Sequence, residues 1–113
     1  MIGGGSGLVP LMSMVRAGAP ARLLVSARER DDVLYLEELE QRGVDLALTY
    51  TRRMPRGWTG WNRRVDREML WKWQPRVGPR VYVCGPTAFV ESVADDLVFL
   101  GHDPANIRTE RFG

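Results

Sequence analysis

Three short runs dominate the pattern of this chain: Arg22-Leu-Leu-Val-Ser-Ala27, Asp45-Leu-Ala-Leu-Thr-Tyr-Thr51 and Arg80-Val-Tyr-Val-Cys84. The first and third are continuous apolar runs of the kind buried on both faces of a parallel sheet, and the second alternates in residues that suit strands. Segments of helical spacing lie between them. Leu8, Leu11, Met12 and Val15 predict a helix over 8–17, with Pro10 in its first turn and Gly18 and Pro20 ending it. Asp31 and Asp32 open a second helix over about 32–42, which Gly43 closes. Residues 65–73 suit a short third helix, Thr87 to Leu100 suit a strongly amphipathic fourth that stops at Gly101, and Ile107 to Phe112 suit a last strand. Strand and helix alternating in this way imply a doubly wound α/β fold with right-handed crossovers. At 113 residues the chain makes one domain, 1–113.

The start of the chain bears directly on this scheme. Four of the 12 glycines fall in the first seven residues, as Met-Ile-Gly-Gly-Gly-Ser-Gly-Leu-Val-Pro. Gly5-Ser6-Gly7-Leu8-Val9-Pro10 is a G-x-G-x-x-P arrangement, in which glycines let a backbone approach a pyrophosphate and the following helix offers free N–H groups. A flexible terminus or a plain tight turn is the competing reading. The standard dinucleotide fingerprint fails, because Leu8 stands where a third glycine or alanine is required, and no Gly-Lys-Ser/Thr follows to make a Walker loop. Only Met1 and Ile2 precede the glycines, so the first and central strand is truncated relative to the usual strand of about five residues. The expected sheet is five parallel strands in the order 3-2-1-4-5, with helices on both faces.

Composition removes other classes. Hydrophobic residues are 44% and charged residues 27%, with no run long enough to cross a membrane. No signal peptide is apparent, so a cytoplasmic location is the default expectation. One cysteine and one histidine leave too few ligands for a zinc or iron–sulfur site, and no metal is expected. Arg52, Arg53, Arg56, Arg63, Arg64 and Arg67 crowd a chain of net charge only +2, which suits a compact anion better than nucleic acid. A single-stranded nucleic-acid surface built from these arginines and Trp58, Trp61, Trp71 and Trp73 is set aside, because no nucleic-acid fold motif accompanies them. The tryptophans themselves suit core and loop packing, or an exposed patch for a partner.

Candidate site residues follow from strand ends, since open α/β sheets bind ligands at their carboxyl edge. After the second strand stands Ser26-Ala27-Arg28 where an acid commonly holds ribose hydroxyls, and a guanidinium with a serine hydroxyl suits a 2′-phosphate. Glu29 follows directly, and a solvent-facing Arg–Glu surface is the plain alternative. Thr51-Arg52 ends the third strand and Arg64 follows its loop. Cys84-Gly85-Pro86-Thr87 ends the fourth, with Gly85 open to a flat ring; Cys84 lacks a partner base, because His102 belongs at the opposite end of the sheet.

Taken together, Gly-Gly-Gly-Ser-Gly-Leu-Val-Pro, Ser-Ala-Arg, Tyr-Thr-Arg, Val-Cys-Gly-Pro-Thr and the final Thr109-Glu-Arg-Phe112 resemble the pyridine-nucleotide domain of the ferredoxin–NADP reductase family, over essentially the whole chain. Within it the likeness is greatest to bacterial FAD-containing oxidoreductases that supply electrons to ferredoxins or oxygenases. The resemblance implies binding of NADP or NAD, with NADPH favoured, and hydride transfer to a flavin. It implies that Gly4, Gly5, Ser6, Gly7, Leu8, Val9 and Pro10 hold the pyrophosphate, that Ser26, Arg28, Thr51, Arg52 and Arg64 surround the adenosine end, and that Cys84, Gly85, Pro86 and Thr87 lie by the nicotinamide. Glu110 and Phe112 take the family's places for a nicotinamide-positioning glutamate and a flavin-covering aromatic. The family's flavin-binding barrel is not among these 113 residues. FAD is therefore expected only from a flavin domain or second chain, with a ferredoxin or oxygenase component as further partner. A nucleotide-binding or partner-binding module without catalysis is the rival expectation.

Overall fold

In the computed structural model, residues 1–18, 22–33, 35–73 and 80–112 are described. Five strands, β1 (Ile2–Gly4), β2 (Arg22–Ala27), β3 (Asp45–Tyr50), β4 (Val81–Pro86) and β5 (Ile107–Phe112), form one parallel sheet in the order β3-β2-β1-β4-β5. The helices are α1 (Leu8–Arg16), α2 (Leu36–Gln41), α3 (Arg67–Trp73) and α4 (Thr87–Phe99). The expected architecture and strand order are those observed.

The side-chain alternation of the inner strands divides the core in two. Leu23, Val25 and Ala27 of β2 pack with Leu8, Leu11, Met12 and Val15 of α1 and Leu39 of α2. Leu24, Val81 and Val83 point the other way, onto Met69, Leu70 and Trp73 of α3 and Val90, Val93 and Leu97 of α4. Burial on both faces is why β2 and β4 read as continuous apolar runs. β5, at the sheet edge, is mostly exposed.

β1 is short, as expected, but it takes in Gly3 and Gly4. The other four strands start level, Arg22 opposite Asp45 and Val81 opposite Ile107, whereas Ile2 is level with Leu24 and Val83. β1 therefore begins two residues further along the sheet than its neighbours. Met1 continues the pairing toward β2: its amino group donates to the Arg22 carbonyl at 2.8 Å and its carbonyl accepts from the Leu24 N–H at 2.9 Å.

The second helix departs from expectation. Residues Arg30–Asp32 form a separate 3-10 turn, and α2 does not begin until Leu36. Between them Tyr35 sits in the left-handed region at φ 62, a conformation that cannot continue a helix. Gly43, at φ 66, does close α2. Pro20, named above as ending the first helix, and Leu34, within the span expected for the second, lie outside the described residues. α4 is less cleanly amphipathic than its sequence suggests, since Val98 and Phe99 are exposed at its end. Of the tryptophans, Trp73 is core, Trp61 packs half-buried against the same cluster and Trp58 against the opposite one, and Trp71 is 65% exposed.

Candidate functional site

All the strand ends named above converge on the carboxyl edge of the sheet. From β1 the chain passes through a single 3-10 turn, Gly5–Gly7, directly into α1, whose first turn has no side-chain cap. Gly5 holds φ +56, and a Cβ there would meet no atom within 4 Å, so its backbone faces open space. Gly7 differs sharply: a Cβ there would stand 2.1 Å from the Cys84 carbonyl oxygen, so the turn is pressed against the backbone of β4. Leu8 is fully inside the α1 core, which leaves its backbone as the only part near the turn, while Val9 is 45% exposed. Ser6 is placed within the turn by its backbone and Pro10 lies within the first turn of α1.

The far side of the site is fixed by backbone pairing that outlasts the strands. The Thr51 N–H donates to the Ala27 carbonyl at 2.9 Å, and the Arg52 and Arg53 N–H groups both donate to the Arg28 carbonyl, at 3.0 and 2.9 Å. Arg64 arrives from a loop folded back on β3. The Tyr50 N–H donates to the Trp61 carbonyl at 3.2 Å, the Trp58 indole N–H donates to the same carbonyl at 2.9 Å, and the Thr49 hydroxyl donates to the Arg63 carbonyl. Tyr50 and Trp58 meet edge to face at 4.9 Å, which packs the loop's aromatic side against β3. The Trp58 side chain and the Trp61 carbonyl thus hold the loop that brings Arg64 back to the sheet edge.

A cleft of about 670 Å³ runs along this edge, a volume that suits a small-molecule ligand. Gly4, Gly5, Ser26, Arg28, Thr51, Arg64 and Pro86 line it, so one concavity joins the glycine turn to the ends of β2, β3 and β4. Arg52 is exposed outside the lining, held by its backbone only. Gly85 and Thr87 flank Pro86 at the β4–α4 junction. Cys84 is buried behind them at 5% exposure and lies opposite Glu110 in the β4–β5 register, as Pro86 lies opposite the 38% exposed Phe112. Burial, with the Glu110 carboxylate beside it, pushes the Cys84 thiol above its ordinary range, so it stays a neutral packing group at neutral pH. His102 follows α4 at the other end of the sheet and is buried. Among the described residues no group of three or more acidic, histidine or cysteine side chains could hold a metal ion.

The cleft also contains residues that the sequence reading did not assign to it. Asp31 and Asp32 line it, because the 3-10 turn after β2 folds over the edge instead of starting a helix. Asp32 lies 3.7 Å from the Arg28 guanidinium, with both side chains largely exposed. Their position shortly after a strand end was the available signal. From α4 come Ala88, Phe89, Ser92 and Val93, which only the packing of that helix against the edge brings into view.

Comparisons with known proteins bear on the chain as a whole. The oxidoreductase NAD-binding domain family matches residues 1–95. The glycine betaine monooxygenase reductase subunit of Chromohalobacter salexigens is 32% identical over 129 residues, covering 100% of this chain and 34% of that protein. NADH-cytochrome b5 reductase 1 of Pyricularia oryzae is 29% identical over 121 residues, covering 93% of this chain and 39% of that protein. The chain therefore spans little more than a third of the curated relatives it matches. Among solved structures, the cytochrome b5 reductase domain of Ulva prolifera nitrate reductase superposes with a TM-score of 0.85 at 24% identity, over 97% of this chain and 47% of that one, a likeness of fold. On the family match, the chain belongs to the oxidoreductase NAD-binding domain family, and it is similar to parts of a monooxygenase reductase subunit and of cytochrome b5 reductases.

Proposed function

We propose that this chain binds NAD(P)H along the sheet edge and presents its nicotinamide to a flavin held outside these residues. The observation that carries this reading is the single cleft joining the Gly4–Gly5 backbone to Ser26, Arg28, Thr51, Arg64 and Pro86. Its parts suit the ligand. The positive-φ Gly5 offers an open backbone to the pyrophosphate, the start of α1 adds the positive end of a helix dipole, and two hydroxyls with two guanidiniums suit a phosphorylated ribose. Hydride transfer from nicotinamide C4 to flavin N5 is chemistry that the two cofactors supply. The chain contributes orientation: Cys84 to Thr87 form the edge beside the nicotinamide, Glu110 stands next to Cys84, and Phe112 is the exposed ring at the end of β5. A flavin-binding domain or second chain would face that end, and an oxygenase component or ferredoxin would take the electrons onward.

For the coenzyme we infer NADPH, on the pair of guanidiniums from Arg28 and Arg64 in the cleft. NADH is the second reading, and Asp31 and Asp32 are the observation that favours it, since carboxylates accept from ribose hydroxyls and repel a 2′-phosphate. Titration of the chain with each coenzyme tests both. Micromolar binding of NADPH, weakened in Arg28→Ala more than NADH binding is, supports the first reading. Tighter NADH binding in the wild type, inverted by Asp32→Asn, supports the second. No binding of either coenzyme refutes the function. A binding-competent chain that gives no turnover with added FAD and an artificial acceptor is a module that needs its flavin partner.

A further inference from the structure

The glycines at the heart of the cleft are not all kept free for a ligand. A Cβ on Gly4 would lie 2.8 Å from Cδ1 and Cε1 of Phe89, and a Cβ on Gly85 would lie 2.9 Å from the same Cδ1. One aromatic ring therefore covers both the end of β1 and the end of β4. The flat ring that lies against Gly85 is the protein's own. Phe89 stands in the first turn of α4, half-buried on the core beneath it, and its remaining surface lines the cleft. Ala88, Ser92 and Val93 line the cleft from the same helix, so the floor between the glycine turn and Pro86 is formed by α4.

Resting on the dinucleotide reading above, we propose that Phe89 is the contact residue that sets the path of the dinucleotide across the sheet. A ligand that reaches from Ser26 and Arg28 to Pro86 must cross the boundary between β1 and β4, and this ring occupies that boundary. An aromatic face is rigid and cannot donate or accept strong hydrogen bonds, so it limits how deep the bridging part of the ligand sinks and leaves the backbone groups of the turn as its polar partners. With the ring removed, the glycine floor opens into a hole that the ligand cannot fill. The adenosine end, held by Ser26, Arg28, Thr51 and Arg64, does not touch it. Phe89 therefore governs binding of the whole dinucleotide and its nicotinamide placement, and leaves the mononucleotide end alone.

The test compares ligands of different reach on the intact chain. NADPH and NADH are titrated alongside 2′,5′-ADP and 5′-AMP, against wild type, Phe89→Leu, Phe89→Ala and Phe89→Tyr, with a melting temperature for each. The expected result is a five- to twentyfold loss of dinucleotide affinity in Phe89→Leu and Phe89→Ala, mononucleotide affinity within about twofold of wild type, and recovery to within threefold in Phe89→Tyr, which keeps the ring. A parallel loss for dinucleotide and mononucleotide, or no loss for either, overturns the proposal and leaves Phe89 a packing residue. If wild type binds mononucleotides but neither dinucleotide, or binds nothing, the dinucleotide reading itself fails and the role of Phe89 fails with it.

Discussion

Substituting Gly7 with alanine attacks the contact on which the whole edge depends. The new methyl would start 2.1 Å from the Cys84 oxygen, 2.4 Å from its carbonyl carbon and 2.6 Å from the Gly85 nitrogen. Ordinary carbon contacts lie near 3.5–4 Å, so relief needs a displacement of about 1 Å or more. Every atom in the way is backbone, and that backbone is held on both sides, Cys84 being paired in register with Gly3 on β1 and with Glu110 on β5. Gly4→Ala is the natural comparison, because its obstruction is the Phe89 ring, a side chain able to turn. Overpacking a core that can adjust costs about 1–3 kcal/mol. We expect Gly4→Ala within that range and Gly7→Ala above it, at more than about 3 kcal/mol, a large part of the ~5–15 kcal/mol that holds a domain. For a chain of this size that is a fall of roughly 10 °C or more in melting temperature. A double-mutant cycle with Phe89→Ala separates the two sites: it should recover at least about 1 kcal/mol of the Gly4→Ala loss and none of the Gly7→Ala loss. Melting and urea unfolding followed by far-UV circular dichroism supply the numbers. A Gly7→Ala protein that melts within ~2 °C of wild type, or an equal response of both variants to Phe89→Ala, refutes the account of the turn.

Two further outcomes follow from titratable groups. The amino group of Met1, part-buried where it donates to the Arg22 carbonyl of β2, is lowered from 8.0 to about 6, chiefly by its loss of solvent. In a polypeptide that begins at Met1 the folded state disfavours the charged amine, so stability is highest above pH 8 and declines as pH falls toward 6, by up to about 2–3 kcal/mol. Denaturant melts across that range check the slope, and Nα-acetylation should abolish it. Cys84, buried with its thiol raised above the ordinary range, should react with an aromatic disulfide reagent at neutral pH at least about a hundredfold more slowly than in the urea-unfolded chain. A rate like that of a free thiol would show that the β4 edge is open in solution.

Much of this was legible before any coordinates, and the reasons are physical. The inner strands β2 and β4 are buried on both faces, so their residues carry the signal of a parallel sheet in their composition, and the alternation with helices leaves few topologies. The strand ends that face the cleft were likewise readable, since topology alone assigns them to one edge. What was not legible rests on long-range packing or on a single dihedral. The left-handed Tyr35 that shortens α2 has no marker in its residue type, because tyrosine is an uncommon occupant of that region. Asp31 and Asp32 looked like helix-starting acids and became cleft residues once the helix failed to start there. The clustered glycines looked alike in sequence, yet Gly5 meets open space, Gly4 an aromatic ring and Gly7 a carbonyl, and only the fold distinguishes them.

That difference among the glycines carries over to the two ends of the site. Where Gly7 meets β4 the parts are backbone atoms in direct contact, with buried Cys84 among them, so an added atom there must displace the sheet. At the adenosine end the parts are long side chains standing off a pinned backbone: the Arg28 side chain is 66% exposed, its partner Asp32 42%, and the carbonyl beneath them accepts from both Arg52 and Arg53. An exposed pair of this kind contributes about 0–1 kcal/mol to folding, while a guanidinium facing a phosphate in the same place makes charge-assisted bonds of about twice the ordinary strength and a carboxylate there repels it. On the proposed function, coenzyme choice can therefore be altered at residues 28, 31, 32 and 64 with little effect on stability, whereas Gly7 in the glycine turn cannot be altered without it. The separation predicts that variants exchanging NADPH and NADH preference will melt like the wild type, and that Gly7 variants will lose both coenzymes together with the fold.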